Sequence, residues 1–132
     1  MVYGHFKSET GTVDLPIGRS SVDRKKMDVT EHNSKNAVTH YEVVREYNGF
    51  THLKLRLETG RTHQIRVHMS HIGHPVAGDA VYGPKKVISE LNGQCLHAGK
   101  IGFIHPRDGR YIEIESSLPQ YFTDFIKKLE NK

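Results

Sequence analysis

An arginine displayed by a glycine bend, followed by a helix bearing histidine and a second arginine, concentrates the chemically capable side chains of this chain into residues 57–83, LETGRTHQIRVHMSHIGHPVAGDAVYG. Thr59-Gly60 breaks a strand pattern that ends at Leu57, and glycine there lets the backbone approach a ligand closely, so Arg61 is presented outward. A guanidinium that does not titrate can hold a carboxylate in two parallel hydrogen bonds. Thr62 is placed to cap a helix over THQIRVHMSHI. In that helix Ile65, Met69 and Ile72 recur at i, i+4 and i+7 as one buried stripe, before Gly73 and Pro75 stop it. His63 and Arg66 fall off the stripe, where they contact a phosphate, line a cleft, or simply cap or brace the turn.

Other polar side chains in the stretch carry competing readings. Asp79, in GDAVYG, is read as a loop aspartate holding backbone amides in preference to a catalytic acid. His63, His68, His71 and His74 raise the question of a metal. On a helix 68 and 71 are neighbours, but 63 is turned away by more than a right angle and 74 lies past the helix end. No Cys or Glu completes a zinc pattern, so the reading is no metal and no cofactor, with His68 and His97 as satisfied packing. Lys85-Lys86 with Arg24, Lys25 and Lys26 form either a patch that tracks a phosphate backbone or ordinary solvated surface.

These side chains need elements to hold them. Residues 37–47 and 50–58 flank Asn48-Gly49, the strongest short hairpin signal, whose type I′ turn requires positive φ at both central residues. Leu53, Leu55 and Leu57 alternate with His52, Lys54, Arg56 and Glu58, so one face should enter a core while the hairpin aims Thr59-Gly60-Arg61. Gly11 to Pro16 reads as a short strand. Residues 20–36 are polar without periodicity and read as a mobile surface loop. Pro84 can open a short helix through Val87, Ile88 and Leu91, and residues 94–103 and 111–115 read as strands around a turn at Pro106-Arg107-Asp108-Gly109. Phe122, Phe125, Ile126 and Leu129 predict a final amphipathic helix opened by Pro119 and docked on the sheet. The expected class is α+β, a mainly antiparallel or mixed sheet with a few flanking helices.

The chain has 132 residues, enough for one domain that buries about two-thirds of its unfolded surface. No run of about 18 apolar residues is present to span a bilayer, and the opening MVYGHFKSE lacks the apolar core of a signal peptide, so a cytoplasmic location is expected. The single cysteine, Cys95, has no internal disulfide partner. Nineteen Lys and Arg against fifteen Asp and Glu leave a formal charge of +4, which suits a phosphate-bearing partner without proving one.

Taken together, GRTHQIR at 60–66, GHPVAGDAVYG at 73–83, Leu96-His97-Ala98, Phe103-Ile104-His105-Pro106 and GTVDLPIGR at 11–19 resemble, in order, the later motifs of the RluA/RsuA-type pseudouridine synthases. The resemblance covers nearly the whole chain and implies an enzyme isomerising uridine to pseudouridine in ribosomal or transfer RNA. It implies that Arg61 pairs with the family's nucleophilic aspartate and that Ile65 either closes over the base or belongs to the core. That aspartate lies upstream in the family, in a run resembling HRLD, and no such run occurs here. Val2-Tyr3-Gly4 aligns with a V-x-G that follows the family's active-site tyrosine. The expectation is therefore that residues 1–132 are the C-terminal portion of the catalytic domain, inactive alone, with RNA as partner, no membrane and no metal. An exposed sheet edge would offer self-association. A non-catalytic RNA-binding module is the alternative, and a histidine-ligated metalloenzyme a more distant one.

Overall fold

Asn48-Gly49 joins the two longest strands, β6 (Val38–Tyr47) and β7 (Phe50–Leu57), as the dipeptide signal requires, with Tyr47 opposite Phe50. Only Gly49 takes positive φ, at 80°, so the turn is not type I′. A negative φ at Asn48 avoids the left-handed cost of a residue with a Cβ, and the Gly49 carbonyl accepts the Gly4 N–H at 2.9 Å. The computed structural model describes residues 1–86, 88, 91, 93–104, 106, 107 and 109–130.

Short strands β1 (Val2–Tyr3) and β2 (Thr10–Asp14) flank the hairpin to give a four-stranded antiparallel sheet in the order β1-β7-β6-β2. The alternation along β7 holds at Leu53, which is buried, and at half-buried Leu55, but Leu57 is 43% exposed at the strand end. Between Val43 and Arg45 the register shifts by a bulge, which leaves Val44 unpaired and outside. At Gly11 any Cβ would meet the Tyr41 ring at 2.3 Å, so glycine lets that ring lie across the neighbouring strand.

Residues 20–36 are not one loop. β4 (Met27–Val29) and β5 (Ser34–Lys35) pair on either side of β3 (Ile17–Arg19) in a small antiparallel sheet. Strands of two or three residues are too short to show periodicity, and tertiary packing selects them: Ile17, Met27 and Val29 cover Val67 of the helix that follows the main hairpin. That helix, α1 (Gln64–His71), therefore packs on two sides. Met69, with half-buried Ile65 and Ile72, meets the main sheet through Val2, Val13 and Leu53, while Val67 meets the small sheet. The helix ends as expected from Gly73, whose φ is 88°. His74 N–H returns to Met69 C=O at 2.8 Å and Gly73 N–H to Ser70 C=O at 3.1 Å, the two bonds of a Schellman stop.

Downstream, β8 (Lys100–Ile104) pairs with β9 (Tyr111–Glu115). The first of these is shorter than the expected 94–103 span because Cys95 is drawn into the core, its N–H bonded to Ala77 C=O at 2.8 Å. The expected short helix from Pro84 falls on a stretch in which 87, 89, 90 and 92 lie outside the described residues, as does Asp108 of the expected turn and His105 before it. Helix α2 (Gln120–Glu130) buries Phe122, Phe125 and Leu129, and the Phe125 ring meets Phe50 edge-on at 5.3 Å, so it docks on the sheet as the spacing predicts. The whole is α+β and mainly antiparallel, in agreement with the expected class. No helix among the described residues is long and apolar enough to cross a membrane.

Candidate active site

Arg61 leaves the end of β7 through the Thr59-Gly60 bend and is partly exposed. Among the described residues its side chain makes one hydrogen bond, from Nε to the Asn36 carbonyl at 2.7 Å, at the junction of the small sheet with β6. Among the described residues no carboxylate lies within ion-pairing distance of it. The terminal nitrogens of the fork thus keep their donors for a ligand.

The bend is held from inside by Gln64, which is 3% exposed. Its Oε1 accepts the Arg61 N–H at 3.0 Å and the Thr59 hydroxyl at 2.8 Å. Its Nε2 donates to Val38 C=O at 3.0 Å and to Thr39 Oγ1 at 2.9 Å. Thr39 then donates to His68 Nδ1 at 2.8 Å, and His68 Nε2 donates to the Leu15 carbonyl at 2.9 Å. A carbonyl only accepts, so Nε2 carries a proton, and burial, which pushes the pKa of this imidazole below 6.5, favours the neutral form with Nδ1 as acceptor.

The helix start differs from expectation. His63, not Thr62, is the N-cap, in the left-handed region at φ 55° with no side-chain cap. Such a conformation on a residue with a Cβ costs on the order of 1 kcal/mol and persists only when the surroundings hold it. Here Gln64 fixes the preceding bend, and His63 Nδ1 meets the Tyr82 hydroxyl at 2.9 Å. That hydroxyl also accepts the Met27 N–H at 2.9 Å, joining the small sheet, the helix start and the 79–82 loop at one atom.

Arg66 turns to Asp79. Nε to Oδ2 is 2.7 Å and Nη2 to Oδ1 is 3.0 Å, with the Tyr82 ring 5.0 Å from the guanidinium carbon. Asp79 is 1% exposed, and Oδ1 also accepts the Val81 and Tyr82 amides at 2.9 and 3.0 Å. Burial alone would raise this carboxyl, but the Arg66 guanidinium and the Tyr82 and Val81 amides outweigh it and hold the pKa below the ordinary value. The aspartate is thus the amide-holding loop residue its context suggested. Sequence reading did not find its partner, and the only available signal was that a buried aspartate needs one.

Ile65 packs half-buried on the main core, and His63 is exposed at the helix start. Three of the four clustered histidines face separate partners, His63 to Tyr82, His68 to Thr39 and Leu15, and His74 to the Tyr3 carbonyl at 2.9 Å, while His71 is exposed. Among the described residues no group of three or more His, Cys, Asp or Glu converges. His97 departs from expectation: its Nε2 is buried without a partner among the described residues. An open groove of about 390 Å³ is built elsewhere, on the main sheet, from Thr12, His40, Lys54 and Arg56 among others, and no residue of 60–83 lines it.

Burial sets a pH dependence at His68, whose pKa is pushed below the ordinary 6.5. The unfolded chain then holds this proton more readily than the folded one. The stability His68 contributes is complete above pH 6.5 and is lost as pH falls through its folded-state value. Thermal unfolding of wild type and His68→Gln across pH 7.5 to 5 should diverge in slope below pH 6.5, by at most about 1.36 kcal/mol per pH unit for one proton. Parallel curves would remove His68 from the account.

A strand pair, a glycine-displayed arginine braced by a buried glutamine, and a helix clamped between two sheets define an α+β domain built around the 59–66 bend. The chain belongs to the RNA pseudouridylate synthase family, whose model matches residues 2–71. It is 52% identical over 129 residues to the Uncharacterized RNA pseudouridine synthase YlyB of Bacillus subtilis, covering 98% of this chain and 42% of that protein. It is 45% identical over 137 residues to ribosomal large subunit pseudouridine synthase D of Zymomonas mobilis, covering 98% and 43%. Among solved structures, human RNA pseudouridylate synthase domain containing 1 superposes with a TM-score of 0.74 at 26% identity, over 99% of this chain and 63% of that one. Domain containing 4 shares the fold at a TM-score of 0.72 and 23% identity. The chain thus spans about two-fifths of the length of these curated relatives.

Proposed function

We propose that this chain is the C-terminal portion of the catalytic domain of a cytoplasmic synthase that isomerises uridine to pseudouridine in ribosomal or transfer RNA. In that reaction the bond from C1′ to N1 breaks, the base turns, C1′ joins C5, the C5 proton leaves to solvent and N1 takes up a proton from it. A paired uridine must leave its stack for this, since the glycosidic carbon is otherwise shielded. Arg61 is the residue we assign to the chemistry, as electrostatic partner of a nucleophilic aspartate supplied from outside these residues.

The observation that carries the reading is the state of its guanidinium, tethered at Nε alone and without a carboxylate among the described residues. A built bend that displays an uncommitted arginine implies an incoming anion. Of the residues assigned to substrate, His63 stands exposed beside this bend, which supports assigning it to an RNA phosphate. Arg66 supports it through Asp79 and Tyr82, and Ile65 bounds the site from the core side. The Met27-to-Tyr82 bond brings the segment carrying Arg24, Lys25 and Lys26 to the one carrying Lys85 and Lys86, so RNA phosphates flanking the target have a basic rim.

Release of tritium from RNA labelled at uridine C5 tests this directly. The complete synthase carrying this sequence should release it, and residues 1–132 alone should not. Turnover by the isolated chain would show that the aspartate is not supplied from elsewhere. RNA binding by the complete protein without tritium release would favour the binding-module alternative.

A further inference from the structure

We propose that Gln64 is the positioning residue that sets the direction of Arg61, an inference resting on the reading of Arg61 as a carboxylate partner. The Arg61 and Val38 backbone groups at the two ends of the Gln64 amide can act in one sense only. A peptide N–H donates, so Oε1 faces Arg61, and a peptide carbonyl accepts, so Nε2 faces Val38. The flip of this amide is therefore fixed by chemistry.

Both ends are then filled. Oε1 accepts from Arg61 N and Thr59 Oγ1, and Nε2 donates to Val38 C=O and Thr39 Oγ1. Thr59 Oγ1, having spent its proton on Gln64, accepts the Val38 N–H at 2.9 Å. Both backbone polar groups of Val38 are thereby tied, directly or through Thr59, to the amide that holds the arginine. The bend is thus referenced to strand β6 as well as to the helix it precedes, whose first N–H, that of Gln64, bonds the Arg61 carbonyl at 3.1 Å.

Residue 64 stands at the first helical position, where a side chain ordinarily points to solvent or cores the helix. This one is buried and turned back on the bend. Gly60 leaves the preceding backbone free of any Cβ contact, with nothing within 4 Å of where one would stand. Sterics therefore do not fix the bend at Gly60, and the Gln64 amide supplies a definite geometry. His63 is carried into its left-handed conformation between the two residues that amide joins.

The test uses the complete synthase and the tritium-release assay. Gln64→Met keeps the length and removes all four hydrogen bonds. It should lower kcat about 30- to 100-fold with KM for RNA unchanged within about 2-fold, because a misplacement of roughly 1 Å can cost on the order of 10²-fold without weakening substrate binding. The Arg61 backbone amide should also lose its protection from hydrogen exchange. If Gln64→Met does not fold, Thr59→Val removes one of the two donors to Oε1 and should lower kcat about 5-fold with KM unchanged. A folded variant with wild-type kcat, or a loss confined to KM, overturns the inference. An inactive Arg61→Ala beside a fully active Gln64→Met defeats this proposal alone, whereas an active Arg61→Ala defeats the underlying reading of Arg61.

Discussion

Arg61→Ala should lower pseudouridine formation by the complete synthase about 10³-fold while leaving the stability of this chain nearly unchanged. Removing one partner from a buried charge pair costs about 3–5 kcal/mol, because the other charge is left without compensation, and each 1.36 kcal/mol is tenfold in rate. The loss should appear in kcat, since the aspartate is held for the reacting step and RNA affinity comes chiefly from phosphate contacts. Stability should scarcely respond, because the Arg61 side chain contributes a single hydrogen bond to Asn36 in a partly exposed setting, worth about 1 kcal/mol or less. Arg61→Lys retains the charge but not the planar fork and should fall between the two. Matched rates for wild type and Arg61→Ala, with both proteins folded, would leave the arginine as ornament to the bend.

The largest expected loss of stability lies a short distance away, at Asp79. Asp79→Ala removes a carboxylate that is 1% exposed and satisfies two Arg66 donors and the Val81 and Tyr82 amides. The guanidinium would stay largely buried without its counter-charge, and both amides would lose their acceptor, so about 3–5 kcal/mol of destabilisation is expected. That is a large share of a typical domain's total. Asp79→Asn keeps the shape and an acceptor for the amides and should lose less. Because the native pKa lies below the ordinary value, the stability contributed by this carboxyl is present above pH 3.8 and disappears as pH falls through its folded-state value. Equilibrium urea unfolding at pH 7 and pH 3 measures both effects. An Asp79→Ala midpoint equal to wild type would mean that Arg66 finds another acceptor.

These expectations separate two kinds of information. The hairpin at Asn48-Gly49, the bend at Thr59-Gly60, the helix stop at Gly73 and the amphipathic final helix are written in neighbouring residues, since each depends on local backbone preference or on a spacing of a few positions. The residue type at 61 is written there too, but its direction is not, since Gly60 takes no positive φ and has open space where a Cβ would stand, and the Gln64 amide holds the bend. The small sheet at 17–35 was not legible, because strands this short have no period and form only where Ile17, Met27 and Val29 find the back of α1. For the same reason α1 looked one-sided, although it packs on two sheets.

The site divides in the same way. Sequence alone determined which residue types stand at the bend and that a guanidinium there would be displayed. It also marked Asp79 as a loop residue that gathers amides. Tertiary structure decided that Gln64 reaches back to β6, that the Tyr82 hydroxyl joins His63 to Met27, and that Arg66 answers Asp79. The physical reason is that local geometry follows from steric and hydrogen-bonding preferences within a few residues. A buried polar group instead takes whatever partner packing brings within 3 Å, however distant along the chain.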